Sequence, residues 1–169
     1  MDVFPLGEGA DYSYQRAWTS KHHGTDIFAS RGQPVVAVSP GHARAATDPK
    51  GGKVVYLKAD DGWNYYYAHL DSWEPVLAAA GIMGVDVDAG SMLGQVGNTG
   101  NAKGKATHIH FQAAKPGGGA VDPFDLLRAV DPRRKQTPAL PKGSKSLPTV
   151  DLSGAGALVM VFLLARALK

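Results

Sequence analysis

The sequence predicts a mainly β domain, an antiparallel sheet or sandwich, followed by a basic tail. Short segments rich in Val, Tyr, Ile and Phe recur between clusters of Gly, Pro and Asn, which is typical of short strands joined by turns. The 169 residues are 44% apolar, enough for the core of one domain, and include 21 Gly and 11 Pro. Few segments have the pattern of a helix. From the strand pattern and the apolar content, we expect one packed domain at residues 1–130.

Four segments of the domain are predicted strands. They are Pro34–Val38, Lys53–Lys58, Trp63–His69 and Thr107–Ala113. The pair Asp61-Gly62 separates the second segment from the third, and this dipeptide favours the positive φ angles of a tight hairpin turn. Antiparallel pairing of these two segments follows from so short a connection.

The remaining segments of the domain are predicted loops and two helices. The Gly-rich stretches Gly94–Gly104 and Gly117–Gly119 are expected to be loops. The helices are expected at Ser72–Ala80 and Pro123–Val130. The second helix would open with Asp122 as N-cap and Pro123 at the first helical position.

The tail divides into a linker and an apolar segment. Residues 131–150 contain four prolines and five cations, a composition that predicts an extended, solvated linker. Residues 151–169 predict an apolar helix, in which the 17 residues from Leu152 to Leu168 are at the lower limit for crossing a membrane. Two alternatives stay open for this helix: a membrane anchor, or docking on a partner or on the domain itself.

Charge and cysteine content exclude several classes of protein. Residues 1–130 carry 11 Lys and Arg against 13 Asp and Glu, whereas residues 131–169 carry 7 against 2. The domain is therefore not a polycation built to bind nucleic acid. The absence of Cys excludes a disulfide scaffold and a cysteine nucleophile. The first residues lack a cationic stretch followed by a long apolar run, so we expect no secretory signal.

The histidines fall in three clusters, His22-His23-Gly24-Thr25-Asp26, Tyr67-Ala68-His69-Leu70 and Thr107-His108-Ile109-His110-Phe111. In a strand, His108 and His110 share one face while Ile109 and Phe111 enter the core. The same alternation would bring His22 and Asp26 to one face if their segment is extended. Two imidazoles and one carboxylate suit Zn²⁺ and leave a fourth position for water.

Each histidine alone is weak evidence for a metal site. An isolated histidine is most often a hydrogen-bonded bystander, which is the role we expect for His23 and His42. The pair His108 and His110 alone is equally typical of a polar strand face. The three clusters together are what indicates a zinc site.

The order and spacing of these clusters resemble the lysostaphin and LytM type zinc metallopeptidases, which cut peptide bonds in bacterial peptidoglycan. The resemblance runs from about Phe4 to Leu127 and includes the family's His-x-Gly-x-Asp. Its blocks are His22–Asp26, Gly32–Gly41, Tyr67–Leu70, Gly90–Gly100 and His108–Phe111. The resemblance implies a lysostaphin/LytM type peptidase domain, with His22, Asp26 and His110 as zinc ligands and with His69 and His108 as the catalytic pair.

The implied mechanism is consistent with these residue types. Zinc lowers the pKa of bound water toward about 7 and polarises the scissile carbonyl. One of His69 and His108 would move the water proton, and the other would stabilise the oxyanion. Arg16 stands where many relatives have an arginine before the first ligand. A contact to substrate and a surface salt bridge are both open for it.

The resemblance also implies a substrate and a location. We expect the protein to act on peptidoglycan peptides in the extracytoplasmic cell-wall compartment, with no nucleic acid partner. Because the additional segment follows the domain, residues 151–169 would attach the enzyme to a membrane or to a phage virion. The alternative is a non-enzymatic structural or activator subunit that keeps the fold. All five metal and catalytic positions are present, which disfavours that alternative.

Overall fold

The computed structural model describes residues 1–135, in which eleven strands and three α-helices are found. The strands are β1 (Tyr12–Tyr14), β2 (Thr25–Ala29), β3 (Pro34–Val36), β4 (Gly41–Asp48), β5 (Gly52–Ala59), β6 (Asn64–Leu70), β7 (Ser72–Trp73), β8 (Val85–Val87), β9 (Met92–Gln95), β10 (His108–Ala114) and β11 (Ala120–Val121). The helices are α1 (Pro75–Ala80), α2 (Phe124–Val130) and α3 (Pro132–Lys135), and 3₁₀ turns lie at Gly81–Met83 and Gly100–Ala102.

The strands form two antiparallel sheets. The larger sheet has the order β1-β2-β10-β6-β5-β4-β8, with β11 paired to β10, and the smaller has the order β3-β9-β7. Every pairing between the described strands is antiparallel. The predicted mainly β fold with antiparallel sheets is confirmed.

One face of the large sheet forms the core. On β10, Ile109 and Phe111 are fully buried, as alternation predicts. The ring of Tyr67 on β6 packs edge-on against Phe111, with 5.3 Å between the ring centroids. Val35 and Leu93 join the same buried cluster from the small sheet. Polar side chains of β2, β6 and β10 are thereby left on the opposite face.

Strand β4 was missed by the sequence patterns. Its buried positions hold small side chains such as Ala43 and Ala45, and alanine is depleted in strands. The strand forms because all eight of its residues pair with β5. The predicted hairpin between β5 and β6 is confirmed, and Gly62 in its turn has a φ of 86°.

The prediction of a helix over Ser72–Ala80 is wrong in its first part. Ser72 and Trp73 pair with β9 as strand β7. Glu74 keeps an extended backbone, with φ −56° and ψ 135°, because a residue before proline is pushed out of the helical region. Helix α1 therefore begins at Pro75. Gly94 and Gln95, predicted as loop, belong to β9.

Helix α2 begins one residue later than predicted. Pro123 occupies the capping position, and the helix starts at Phe124. Asp122 nevertheless makes the expected contact, because its Oδ1 accepts a hydrogen bond from the Phe124 N–H at 3.0 Å. The carboxylate satisfies a donor that would otherwise be unpaired at the helix start.

Packing continues past Val130 into the segment predicted as linker. Asp131 is buried and accepts hydrogen bonds from the hydroxyls of Tyr12, at 2.7 Å, and Tyr14, at 3.0 Å. The Arg133 guanidinium lies 3.5 Å from the centroid of the Tyr12 ring. The rest of the predicted linker and the apolar segment 151–169 lie outside the described residues. Within residues 1–135, no helix is long and apolar enough to cross a membrane.

Candidate metal centre and active site

Strand register brings residues distant in sequence to one point on the polar face of the large sheet. Strand β10 pairs with β2, so that His110 lies opposite Asp26, and it pairs with β6, so that His110 also lies opposite Ala68. Because side chains alternate, His108 and His110 share the face that points away from the core. Ala68 carries only a methyl group and leaves the space beside His110 open.

His22 reaches the same point from a turn. The backbone bends at Gly24, and β2 begins only at Thr25, so strand alternation does not place His22 as expected for an extended segment. Thr19 and His22 instead exchange two backbone hydrogen bonds, at 3.0 and 3.3 Å. A Cβ at position 24 would lie 2.6 Å from the His110 ring, so a glycine is required for the turn to approach it.

Three side chains converge as a metal-ligating group would. Asp26 Oδ1 lies 3.1 Å from His22 Nε2 and 2.8 Å from His110 Nδ1. One possible ligand atom of each residue lies within 4.8 Å of those of the other two residues. Among residues 1–135, this is the one group of three metal-binding side chains that are so close together. The His22 Nδ1–H donates to the carbonyl of Ala17 at 3.0 Å, so that Nε2 is the ring nitrogen that faces Asp26.

The electrostatics of this group favour a cation. Burial opposes ionisation of Asp26, but hydrogen bonds and charge from His110 and His22 lower its pKa to about 2. Asp26 is therefore a carboxylate at neutral pH. Two imidazole nitrogens and one carboxylate oxygen form the donor set of catalytic zinc sites, which keep a further position open. The residues present fit a zinc ion.

Two further histidines lie beside the three. The His69 and His108 rings are 4.9 Å apart between centroids, and His69 is 6.2 Å from His110. His69 Nδ1 bonds to the carbonyl of Thr99 at 2.9 Å, and His108 Nδ1 bonds to that of Ala106 at 2.8 Å. Because carbonyls only accept, each Nδ1 carries the proton and each Nε2 is free to meet a substrate.

The backbone at His69 is unusual. Its φ of 67° is the one positive value at a non-glycine residue in residues 1–135. The His69 N–H donates to the Gly51 carbonyl at 2.7 Å, and the Thr99 hydroxyl donates to the Leu70 carbonyl at 2.9 Å. These bonds hold a sparsely populated conformation, a feature that is common at functional sites. Burial, together with neighbouring His108 and His110, lowers the pKa of His69.

The five side chains lie in an open groove of about 820 Å³. Phe28, Tyr56 and Tyr66 contribute aromatic walls, and Asn101 of the 3₁₀ turn Gly100–Ala102 also lines the groove. The groove is therefore accessible to a long substrate. Tyr65 is buried, and Tyr66 faces the groove on the other side of the strand.

Arg16 lies away from the groove. Its guanidinium pairs with the carboxylates of Asp122 and Asp125 and lies 4.7 Å from the centroid of the Phe124 ring. The salt-bridge alternative accounts for this residue, and no contact to a substrate in the groove follows from its position.

The two histidines expected to be bystanders take different positions. His42 is remote from the site: its Nδ1 lies 2.8 Å from Asp86 and its Nε2 2.9 Å from the Met83 carbonyl. His23 lines the groove but points away from the converging group, and its ring stacks on Trp18 with 5.1 Å between centroids. Neither contributes a donor atom to the converging group.

Sequence reasoning missed two residues that contact histidines of the site. Gln112 lies on the same face of β10 as His108 and His110, and its amide is 2.9 Å from His110 Nε2. Strand alternation alone would have found it. No sequence pattern indicates the role of Thr99, because its carbonyl contacts His69 only through the packing of its loop on β6.

Known proteins match this chain over the region that carries the site. The model of Peptidase family M23 matches residues 20–123. The chain is 32% identical over 145 residues to the L-Ala–D-Glu endopeptidase of Bacillus subtilis, covering 75% of this chain and 43% of that protein. It is 32% identical over 115 residues to the glycyl-glycine endopeptidase ALE-1 of Staphylococcus capitis, covering 64% and 30%. The chain thus spans less than half the length of these relatives.

Solved structures share the fold. A candidate glycyl-glycine endopeptidase, LytM, from Ruminococcus gnavus superimposes with a TM-score of 0.66 at 28% identity, over 77% of this chain and 60% of that one. The catalytic domain of lysostaphin from Staphylococcus simulans gives a TM-score of 0.55 at 29% identity, over 70% and 91%. With a family model that covers more than half of its residues, the chain belongs to peptidase family M23.

Proposed function

We propose that the protein is a zinc-dependent endopeptidase that hydrolyses peptide bonds in bacterial peptidoglycan. The observation that carries this proposal is the convergence of His22, Asp26 and His110 beside the pair His69 and His108 in an open groove. Membership of family M23 supports it, as do the names of the relatives, which are endopeptidases for L-Ala–D-Glu and glycyl-glycine bonds.

The proposed zinc ligands are His22, Asp26 and His110, through the atoms that approach one another, His22 Nε2, Asp26 Oδ1 and His110 Nδ1. A bound zinc ion would supply a Lewis acid that polarises the scissile carbonyl and activates water. The protein prepares the ligands in advance, because the Ala17 carbonyl holds the His22 tautomer and Asp26 is already ionised.

The proton transfers fall to His69 and His108. With each Nδ1–H committed to a carbonyl, one Nε2 accepts a proton from the attacking water. The other Nε2, when protonated, donates a hydrogen bond to the carbonyl oxygen as negative charge develops there. Return of the accepted proton to the leaving amine completes the hydrolysis. The two roles are interchangeable on this geometry.

The proposed location follows from the substrate. Peptidoglycan is outside the cytoplasm, so the enzyme acts in the cell-wall compartment. We further propose that residues 151–169 contact a membrane or a virion. The apolar run in the sequence supports this contact, and those residues lie outside the described part of the chain.

Zinc content and turnover on purified peptidoglycan test the proposal together. We expect one zinc ion per chain and soluble fragments with new amino termini, which mass spectrometry would assign to one bond type. The matched control is His69→Ala, which should bind zinc and release fragments about 10²-fold or more slowly. A zinc-loaded wild-type protein that releases nothing would favour the alternative of a non-enzymatic structural or activator subunit.

A further inference from the structure

Three lysines from three different loops line the groove: Lys21, Lys50 and Lys105. All three are exposed, and each is held close to the site by its place in the chain. Lys21 immediately precedes His22. Lys50 precedes Gly51, whose carbonyl accepts the His69 N–H. Lys105 lies three residues before His108, so the three lysines belong to three separate segments that meet at the groove.

These lysines have no acidic partner among residues 1–135. None of their amino groups lies within the 4.0 Å of a carboxylate that defines the ion pairs of the described residues. The arginines that do form ion pairs, each with at least one Asp, are Arg16, Arg31, Arg128 and Arg133. The groove therefore keeps cations whose charge is not neutralised by a neighbouring side chain.

The carboxylates of the groove are committed to other contacts. Asp26 belongs to the proposed zinc ligands. Asp48 accepts hydrogen bonds from the Tyr66 hydroxyl at 2.6 Å and from the backbone N–H of Lys50 at 2.9 Å and of Gly51. Although burial opposes its ionisation, these bonds hold the pKa of Asp48 below its usual range. The Asp48 carboxylate therefore stabilises the turn between β4 and β5.

The positive charge of the groove is a local property. Residues 1–130 carry two more acidic than basic side chains, whereas the lining of the groove contains three lysines and two carboxylates. A cleft with an excess of one sign of charge concentrates ligands of the opposite sign. Phe28 and Tyr56 add apolar surface between the cations, which suits the aliphatic parts of a peptide.

We infer that the groove selects acidic peptides, which carry free carboxylates near the scissile bond, over neutral peptides such as glycine bridges. The inference rests on the proposed peptidase function and specifies its substrate class. In peptidoglycan, the stem peptides carry such carboxylates, and amidation removes their charge without changing the chain length.

The test compares three substrates, of which the two dimers are matched in size. They are a crosslinked stem-peptide dimer with free carboxylates, the same dimer with amidated carboxylates, and pentaglycine. We expect kcat/KM to be about tenfold or more higher for the free carboxylates at low salt. The preference should shrink at about 0.3 M salt, because exposed charges are screened within a few ångströms there. Equal rates for the two dimers, or faster cleavage of pentaglycine, would overturn the inference.

Variants assign the preference to the three lysines. The triple variant Lys21→Ala, Lys50→Ala and Lys105→Ala should lower kcat/KM for the free dimer to the level of the amidated dimer. Its kcat/KM on the amidated dimer should fall far less than its kcat/KM on the free dimer. Lys103→Ala is the matched control, because Lys103 is exposed on the same loop as Lys105 but does not line the groove. A full preference retained in the triple variant would contradict the inference.

A binding measurement separates substrate class from catalysis. Calorimetry with zinc-loaded His69→Ala protein should show about tenfold tighter binding of the free dimer than of the amidated dimer. Equal binding of the two dimers would reject the acidic groove, whatever the hydrolysis result. The expected preference in binding, with no hydrolysis of any substrate by the wild-type protein, would support the acidic groove and reject the peptidase function.

Discussion

His22 and Asp26 contact one another directly in the proposed zinc site, and each supplies one donor atom. We expect His22→Ala and Asp26→Ala to lower zinc occupancy together with activity, because two remaining ligands rarely hold Zn²⁺. Atomic emission measurements of zinc on the purified variants check this expectation. His42→Ala, remote from the site, is the control and should retain full zinc. Unchanged zinc in both ligand variants would refute the assignment.

His69 and His108 are expected to act in chemistry and not in coordination. We expect His69→Ala and His108→Ala to retain zinc yet lose about 10²-fold or more in hydrolysis, the usual effect of removing an acid-base group or oxyanion donor. Turnover on peptidoglycan and zinc content are measured on the same preparations. His23→Ala should be mild, because its ring stacks on Trp18 outside the converging group. Near-native turnover of either pair variant would remove that histidine from the mechanism.

Gln112 is expected to orient His110. If His110 Nδ1 faces the metal, its Nε2 carries the proton, and the Gln112 amide 2.9 Å away must present its oxygen as acceptor. We expect Gln112→Leu to weaken zinc affinity about 10-fold to 100-fold and Gln112→Glu to preserve it. Competition with a chromogenic chelator measures both. Gln95, which bonds Ser72 in the small sheet, supplies the control Gln95→Leu. Equal zinc affinity in all three variants would contradict this role.

At the scale of elements, hydrogen bonds to Asp131 connect the end of α2 to β1. Burial opposes its ionisation, but hydrogen bonds from Arg133, Tyr12 and Tyr14 lower its pKa from 3.8 to about 2. A depressed pKa in the folded state stabilises the fold above pH 4, and this contribution is lost as the pH falls toward 2.

We therefore expect Asp131→Asn to lower the free energy of unfolding by about 2 kcal/mol at pH 7 and by far less near pH 2. Urea denaturation at the two pH values measures the difference. Asp60→Asn, at an exposed position, is the control and should change stability little at either pH. A cost of Asp131→Asn that does not depend on pH would show that the carboxylate charge is not what fastens the helix.

At the scale of the whole molecule, the tail is expected to be separable from the domain. A chain cut after Lys135 keeps the contacts of Asp131 and Arg133 with Tyr12, which a cut after Val130 would remove. We expect the chain of residues 1–135 to stay folded and active and to lose binding to anionic vesicles. Linker cations and the apolar segment would bind such vesicles together, each cation adding about 1 kcal/mol.

Co-sedimentation of the full chain and of residues 1–135 with anionic and neutral vesicles measures this loss. Equal sedimentation of both chains would reject the membrane anchor. A shortened chain that unfolds would indicate that the apolar segment packs on the domain instead.

Much of the site could be predicted from local patterns in the sequence. Alternation along Thr107–Ala113 was sufficient to predict that His108 and His110 share one face while Ile109 and Phe111 are buried. The turn at Asp61-Gly62 was likewise predicted, and its positive φ falls on Gly62 alone. These properties depend on neighbours in the chain, which is why composition and spacing reveal them.

Other features were decided only by the tertiary structure. Asp26 meets His110, 84 residues away, through the register of β2 against β10. Thr99 reaches His69, and Lys21, Lys50 and Lys105 meet around one groove, through the packing of loops. Local sequence patterns do not predict strand register or loop packing. Both depend on how segments that are distant in sequence bury their apolar faces together. The sequence by itself determined which metal-binding and acid-base side chains the protein has, and the tertiary structure decided which of them lie together at one site.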